Sequence, residues 1–144
     1  MRIPLYQIDA FTSRLFGGNP AAVCPLSEWL PDETMQAIAA ENNLAETAFF
    51  LPGGEGYALR WFTPAVEVDL CGHATLASAH VVFRFLEPER RRVAFTTRKA
   101  GTLTVARQGD LLELDFPARA AEPCAMPAEL VRALGAEPGE LLAG

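Results

Sequence analysis

The stretch EVDLCGHATLASAH, residues 67–80, decides the fold. Its first part alternates: Val66, Val68 and Leu70 are apolar and Glu67 and Asp69 are charged, the period-2 pattern of a short strand or extended segment. At Cys71 the pattern changes. From Gly72 to about Leu86 the residues are small or apolar on almost every face, and the run ends before Pro88. A helix that is apolar all round is a buried one, so the remaining chain must wrap it. Its mouth carries a thiol, a glycine and an imidazole at Cys71, Gly72 and His73.

Upstream, Ile3–Phe11 reads as a strand, followed by the loop formers Gly17, Gly18, Asn19 and Pro20 and a short strand over Ala21–Cys24. Leu30-Pro31-Asp32-Glu33 reads as a helix start, with Asp32 as N-cap or first-turn acid; Met35, Ile38, Ala39 and Asn42 share one face, and the helix stops near Asn42-Asn43. Ala45–Leu51 and Tyr57–Thr63 read as a hairpin joined by a long loop through Pro52 to Gly56. Downstream of the buried helix, Arg92–Thr97, Gly101–Arg107 and Leu111–Phe116 read as strands, the last two joined tightly through Gln108-Gly109-Asp110. Pro117–Pro127 has the composition of a linker, Ala128–Leu134 reads as a short amphipathic helix stopped by Gly135, and nothing follows Leu141, Leu142 and Ala143 to pack them. The predicted class is α+β: a mixed, mostly antiparallel, rolled, barrel-like sheet around a central apolar helix.

At 144 residues the chain has the size of one ordinary domain, and half of it is apolar. The net charge of −6 argues against a nucleic-acid partner, because phosphate binding relies on a basic face. The basic group of Arg90, Arg91, Arg92, Arg98 and Lys99 reads as a solvated loop and strand edge rather than a phosphate site. Three cysteines, Cys24, Cys71 and Cys124, at wide spacing are no disulfide framework and point to a reducing compartment. No zinc-ligand spacing joins them to the two histidines, so no metal is expected. The N-terminal MRIPLYQIDAF has no continuous apolar run of a signal peptide, and the buried helix, interrupted by Thr75, Ser78, His80 and Arg84, is short of the roughly 20 residues that cross a bilayer. The expected setting is cytoplasmic, without a membrane partner.

Four features carry candidate chemistry. Glu46 lies in NLAETAFF among apolar neighbours, and a carboxylate in such a setting is suited to proton transfer; the alternative is a strand-end side chain facing solvent. Cys71 and His73 stand where a helix has unpaired amides and favours anions, so a substrate carboxylate could dock on Gly72, His73 and Ala74 beside an acidified thiol; the alternative is an inert buried cysteine and a surface histidine. Asn19 in GGNP could present its amide to a ligand or close an Asx turn before Pro20. His80 reads as a satisfied core histidine, and Asp69 as an orienting residue without chemistry.

Taken in order, QIDAFTSRLFGGNPAAV (7–23), NLAETAFF (43–50), LRWFTPAVEVDLCGHATLASAHVVF (59–83) and LLELDFP (111–117) resemble the phenazine-biosynthesis PhzF-like family, which shares the diaminopimelate-epimerase fold. The resemblance covers roughly residues 3–117. It implies two similar lobes with the active site in the cleft between them: residues 1–117 would form the N-terminal lobe, and 118–144 a linker and the start of a second, absent or truncated lobe. It implies that Glu46 is the catalytic acid/base of an isomerase, moving a proton between carbons of a small carboxylate substrate. It implies that His73 lines the site, that the amides of Gly72 to Ala74 hold the carboxylate, that no metal or organic cofactor is needed, and that the protein is a homodimer.

Cys71 departs from the phenazine enzyme, where this position is not a thiol, and matches the epimerase, where it is catalytic; a thiol-dependent amino-acid epimerase therefore remains an alternative. The family is about twice as long as this chain, which leads us to expect a fragment, an interrupted reading frame, or two copies that rebuild a cleft. An inactive lobe that only binds a ligand or partner is the remaining alternative.

Overall fold

The computed structural model describes residues 2–118 and 120–143. In chain order the elements are β1 (Tyr6–Ala10), β2 (Asn19–Pro25), α1 (Asp32–Asn42), β3 (Glu46–Gly53), β4 (Gly56–Phe62), β5 (Glu67–Val68), α2 (Gly72–Val81) running into a π-helical turn (Val82–Leu86), β6 (Arg92–Thr96), β7 (Thr102–Gln108), β8 (Leu111–Asp115), β9 (Glu122–Pro123), α3 (Ala128–Leu134) and β10 (Leu142–Ala143).

Strands pair in the order β1-β2-β3-β4-β6-β7-β8, with β5 added to β4. The joints β2–β3 and β4–β6 are parallel and the others antiparallel. Parallel neighbours need a crossover, and each of these joints has one: α1 lies between β2 and β3, and α2 between β4 and β6. Strands β1 and β8, at opposite ends of the pairing path, both pack against α2, so the sheet curls around that helix. The rolled α+β architecture read from the sequence is the one observed.

The alternation of strand side chains divides the interior in two. Ala21 and Val23 of β2, Ala48 and Phe50 of β3, and Leu59 and Trp61 of β4 join one core with Ala74, Ala77 and Val81 of α2 and Val93, Phe95, Leu103 and Val105 of the later strands. The intervening residues Cys24, Phe49 and Phe62 point to the other face and meet Met35 and Ala39 of α1. Phe50 anchors the larger core, edge-on to Tyr57 and Phe95. Two hydroxyls on the buried helix are satisfied within it: Thr75 Oγ1 donates to the Cys71 carbonyl and Ser78 Oγ to the Ala74 carbonyl.

The structure corrects several local expectations. The β3–β4 hairpin has no long loop: pairing continues to Gly53 and Gly56, leaving a tight turn at Gly54-Glu55. Gly54 has φ +58°, which favours glycine, whereas a Cβ on Gly56 would run into the Ala94 carbonyl oxygen, so glycine is required there. Of the two roles expected for Asp32 the structure keeps the second: Pro31 is the N-cap of α1, and Asp32 is a first-turn acid whose carboxylate pairs with Arg60 at 2.8 Å. The central helix does not run as α-helix to Leu86. Its last turn widens, with the Glu87 amide donating to the Val82 carbonyl. His80 is not a core residue but an exposed one, edge-on to Phe85. Leu142 is not left without a strand partner; it pairs with Pro123 in a separate two-stranded sheet and remains half exposed. No helix among the described residues is long and apolar enough to cross a membrane.

Three of the five residues of the basic group have acidic partners: Arg90 pairs with Glu87, Arg98 with Glu67, and Lys99 with Asp69.

Because Phe50 joins three strands and α2 in one core, Phe50→Ala is expected to cost about 3–5 kcal/mol of stability, read as a lowered midpoint in urea unfolding. A loss below about 1 kcal/mol would contradict this packing.

Candidate active site

Strand parity places the first candidate. Glu46 opens β3 two residues before Ala48 and four before Phe50, so its side chain emerges on the α2 face. It does not face bulk water: its side chain is 19% exposed, and its Oε2 lies 3.1 Å from Nε2 of His73, itself 9% exposed. The two atoms are close but not aligned for a hydrogen bond, and neither has another partner among the described residues. A buried polar pair in this state is costly unless a third group completes it.

His73 arrives from the other direction, on the first turn of α2, with Cys71 at the N-cap in an extended conformation (φ −145°, ψ 115°). Cys71 Sγ lies 3.4 Å from His73 Nδ1. The imidazole therefore stands between the thiol and the carboxylate, using one nitrogen toward each. One ligand atom from each of Glu46, Cys71 and His73 falls within 4.8 Å of the others, a separation a metal ion could bridge. Their nearest approaches, however, use opposite ring nitrogens, which orders the three as a chain rather than around a common centre.

The expectation of an acidified thiol is overturned. Burial pushes the Cys71 thiol up to about 11, and the Glu46 carboxylate adds to the rise; the helix-start amides of Ala74 and His73 oppose it and lose. A helix N-terminus lowers a thiol while apolar burial raises it, and burial dominates at Cys71, which is 7% exposed.

The remaining candidates cluster by register. Gly72 and Ala74 are in the first turn of α2 beside His73. Asn19 opens β2 on the same parity as Ala21, whose partner across the ladder is Glu46, so Asn19 lies at the same end of the sheet on the α2 face. Asp69 is exposed and paired with Lys99 at 2.9 Å.

Three supporting contacts escaped sequence reasoning. Asn42, at the end of α1, donates from Nδ2 to Thr47 Oγ1 and so ties the residue after Glu46. The Phe116 ring lies against the start of α2, 3.4 Å from where a Cβ on Gly72 would stand. Arg60, 4% exposed, grips Glu67 through two nitrogens at 2.7 and 2.8 Å and stacks between Trp29 and Phe62, fixing the strand that leads into Cys71. The signal for Arg60 was available: a lone charge inside the apolar run YALRWF.

The sequence model of the family described as phenazine biosynthesis-like protein (PhzC-PhzF) matches residues 8–139. An uncharacterized isomerase of Pseudomonas aeruginosa is 55% identical over 142 residues, which cover 99% of this chain and 54% of that protein. One from Halalkalibacterium halodurans is 48% identical over 139 residues, covering 96% of this chain and 52% of that protein. The crystal structure of a PhzF-family phenazine biosynthesis protein from Enterococcus faecalis superposes with a TM-score of 0.92 at 46% identity, covering 100% of this chain and 55% of that one. The chain thus spans about half the length of the curated relatives it matches.

The thiol chemistry is directly measurable. Cys124 is exposed, so iodoacetamide at pH 8 should modify it first, leaving Cys24 and Cys71 slow. Because the Glu46 charge disfavours the Cys71 thiolate, Glu46→Gln should move the rise in Cys71 labelling to lower pH. Labelling followed by peptide mass spectrometry checks both; an unmoved profile would remove Glu46 from the environment of the thiol.

Proposed function

We propose that this chain, which belongs to the phenazine biosynthesis-like family, forms one wall of an isomerase site that moves a proton between carbons of a small carboxylate-bearing substrate. The observation that carries this reading is the buried contact between Glu46 Oε2 and His73 Nε2, two atoms of titratable side chains that face each other at 3.1 Å and have no hydrogen-bond partner among the described residues. Groups so arranged suit a third polar partner, and a substrate would provide it.

In this reading the substrate carboxylate sits on the amides of Gly72, His73 and Ala74, with Asn19 contributing from the neighbouring strand end. Glu46 as carboxylate takes a proton from a carbon of the substrate. The C–H electron pair moves into the adjacent unsaturated system, and the oxygen that gains charge is stabilised by the helix-start amides. The carboxylic acid then returns the proton to a different carbon, so Glu46 ends as it began. His73 holds Glu46 and the substrate in line. Each step uses only side chains and amides, so the reading requires no metal and no organic cofactor. It places the opposite wall of the cleft on further polypeptide, and the assembly is a homodimer in a cytoplasmic setting.

The thiol alternative rests on Cys71 being within reach of the same cluster. Its buried thiol is held protonated, so it would serve as proton donor rather than resting base. A thiol-dependent epimerase loses activity as fully with Cys71→Ala as with Glu46→Gln, whereas the glutamate reading leaves Cys71→Ala partly active.

The test is solvent deuterium exchange into a panel of small carboxylates, read by mass spectrometry. Glu46→Gln is expected to lower the exchange rate about 10²–10⁴-fold, and His73→Asn by a smaller factor. Full exchange in Glu46→Gln would end the proposal.

A further inference from the structure

Resting on that reading, we propose that Cys71 is a positioning residue: it fixes the tautomer of His73, so that Nδ1 carries the lone pair and Nε2 carries the proton that faces Glu46. The geometry supplies the argument. Cys71 and His73 are 7% and 8% exposed, so water does not compete for the ring on the thiol side. The Cys71 Sγ contact at 3.4 Å goes to Nδ1, and the Glu46 Oε2 contact at 3.1 Å goes to Nε2. A neutral imidazole has one N–H, and whichever neighbour donates decides where it sits.

A thiol donates weakly and accepts more weakly still, while an unprotonated ring nitrogen is a good acceptor. Burial and the nearby carboxylate keep Cys71 in its S–H form. The consistent arrangement is therefore S–H donating to Nδ1, with Nε2–H on the side of the carboxylate. The opposite tautomer would set the Nε2 lone pair against the lone pairs of Glu46 Oε2. The thiol thus turns an N–H, through the ring, toward the carboxylate. This role differs from a catalytic thiol because Cys71 itself makes and breaks no bond to substrate.

The test is ¹⁵N NMR of the full chain labelled at histidine, at neutral pH, with exposed His80 as an internal reference for a solvent-averaged ring. Wild type should show His73 as a single tautomer with an unprotonated Nδ1. Cys71→Ala should convert it to a mixture, and Cys71→Ser, which keeps an O–H donor, should restore it. The exchange assay should follow: a loss on the order of ten- to a hundredfold in Cys71→Ala, with most of the rate regained in Cys71→Ser.

A proton on Nδ1 in the wild type, or a tautomer unchanged in Cys71→Ala, overturns the proposal. The wild-type spectrum decides even where a variant fails to fold. If the tautomer is as stated but no carboxylate exchanges in any variant, the isomerase reading fails and the positioning role of the thiol stands.

Discussion

The constraint on which this structure depends is the burial of α2. A ten-residue helix with seven buried positions cannot rest on a flat sheet, because a flat sheet covers only one side of it. The sheet therefore curls until strands at both ends of the pairing path touch the helix. Small side chains at Ala74, Ala77, Ser78 and Ala79 keep the helix thin enough to be enclosed. Once enclosed, its axis is fixed, and its first turn must lie at one end of the barrel-like wall. The start of β3 lies at that same end, since the parallel pairing of β2 with β3 sets Glu46 opposite Ala21 near the beginning of both strands. The Glu46–His73 contact follows from how the core is built.

The approach to α2 needs its own restraint. Between β4 and α2 the chain makes only the two-residue strand β5, too short to hold itself. Arg60 supplies what backbone pairing cannot: its guanidinium takes both oxygens of Glu67 and one of Asp32 while its faces lie near two aromatic rings. Arginine suits this place because its planar fork matches a carboxylate and its weak hydration tolerates enclosure. The clamp joins the starts of α1 and β5, and through them steadies the segment that carries Cys71 and His73.

Much of this was legible in the chain. The change at Cys71 from alternation to a run of small or apolar residues on almost every face announced the enclosed helix, and ETAFF already held the parity that turns Glu46 inward. What the sequence hid depends on contacts far apart in the chain. The tight β3–β4 turn was masked by Gly53 and Gly56, which look like loop residues but are ladder residues, Gly56 because the Ala94 carbonyl approaches it. His80 looked enclosed because the residues around it are, yet its own position on α2 turns outward. The thiol at Cys71 was misjudged because a local rule about helix starts was applied without the burial that only the folded sheet imposes. The widened turn at Val82–Leu86 has no sequence signature that we can name.

The enclosure of Cys71 has a consequence for chemical durability. Peroxide and related oxidants attack thiolates, and they climb from sulfenic to irreversible acids only where the sulfur is ionised and reachable. Cys71 and Cys24 are neither, since burial keeps both protonated, at about 11 and about 12. Cys124 is exposed beside the small outer sheet, away from the enclosed core. An oxidative burst would thus be spent on a sulfur of no consequence to the Glu46–His73 contact, and the histidine would keep its neighbour in reduced form.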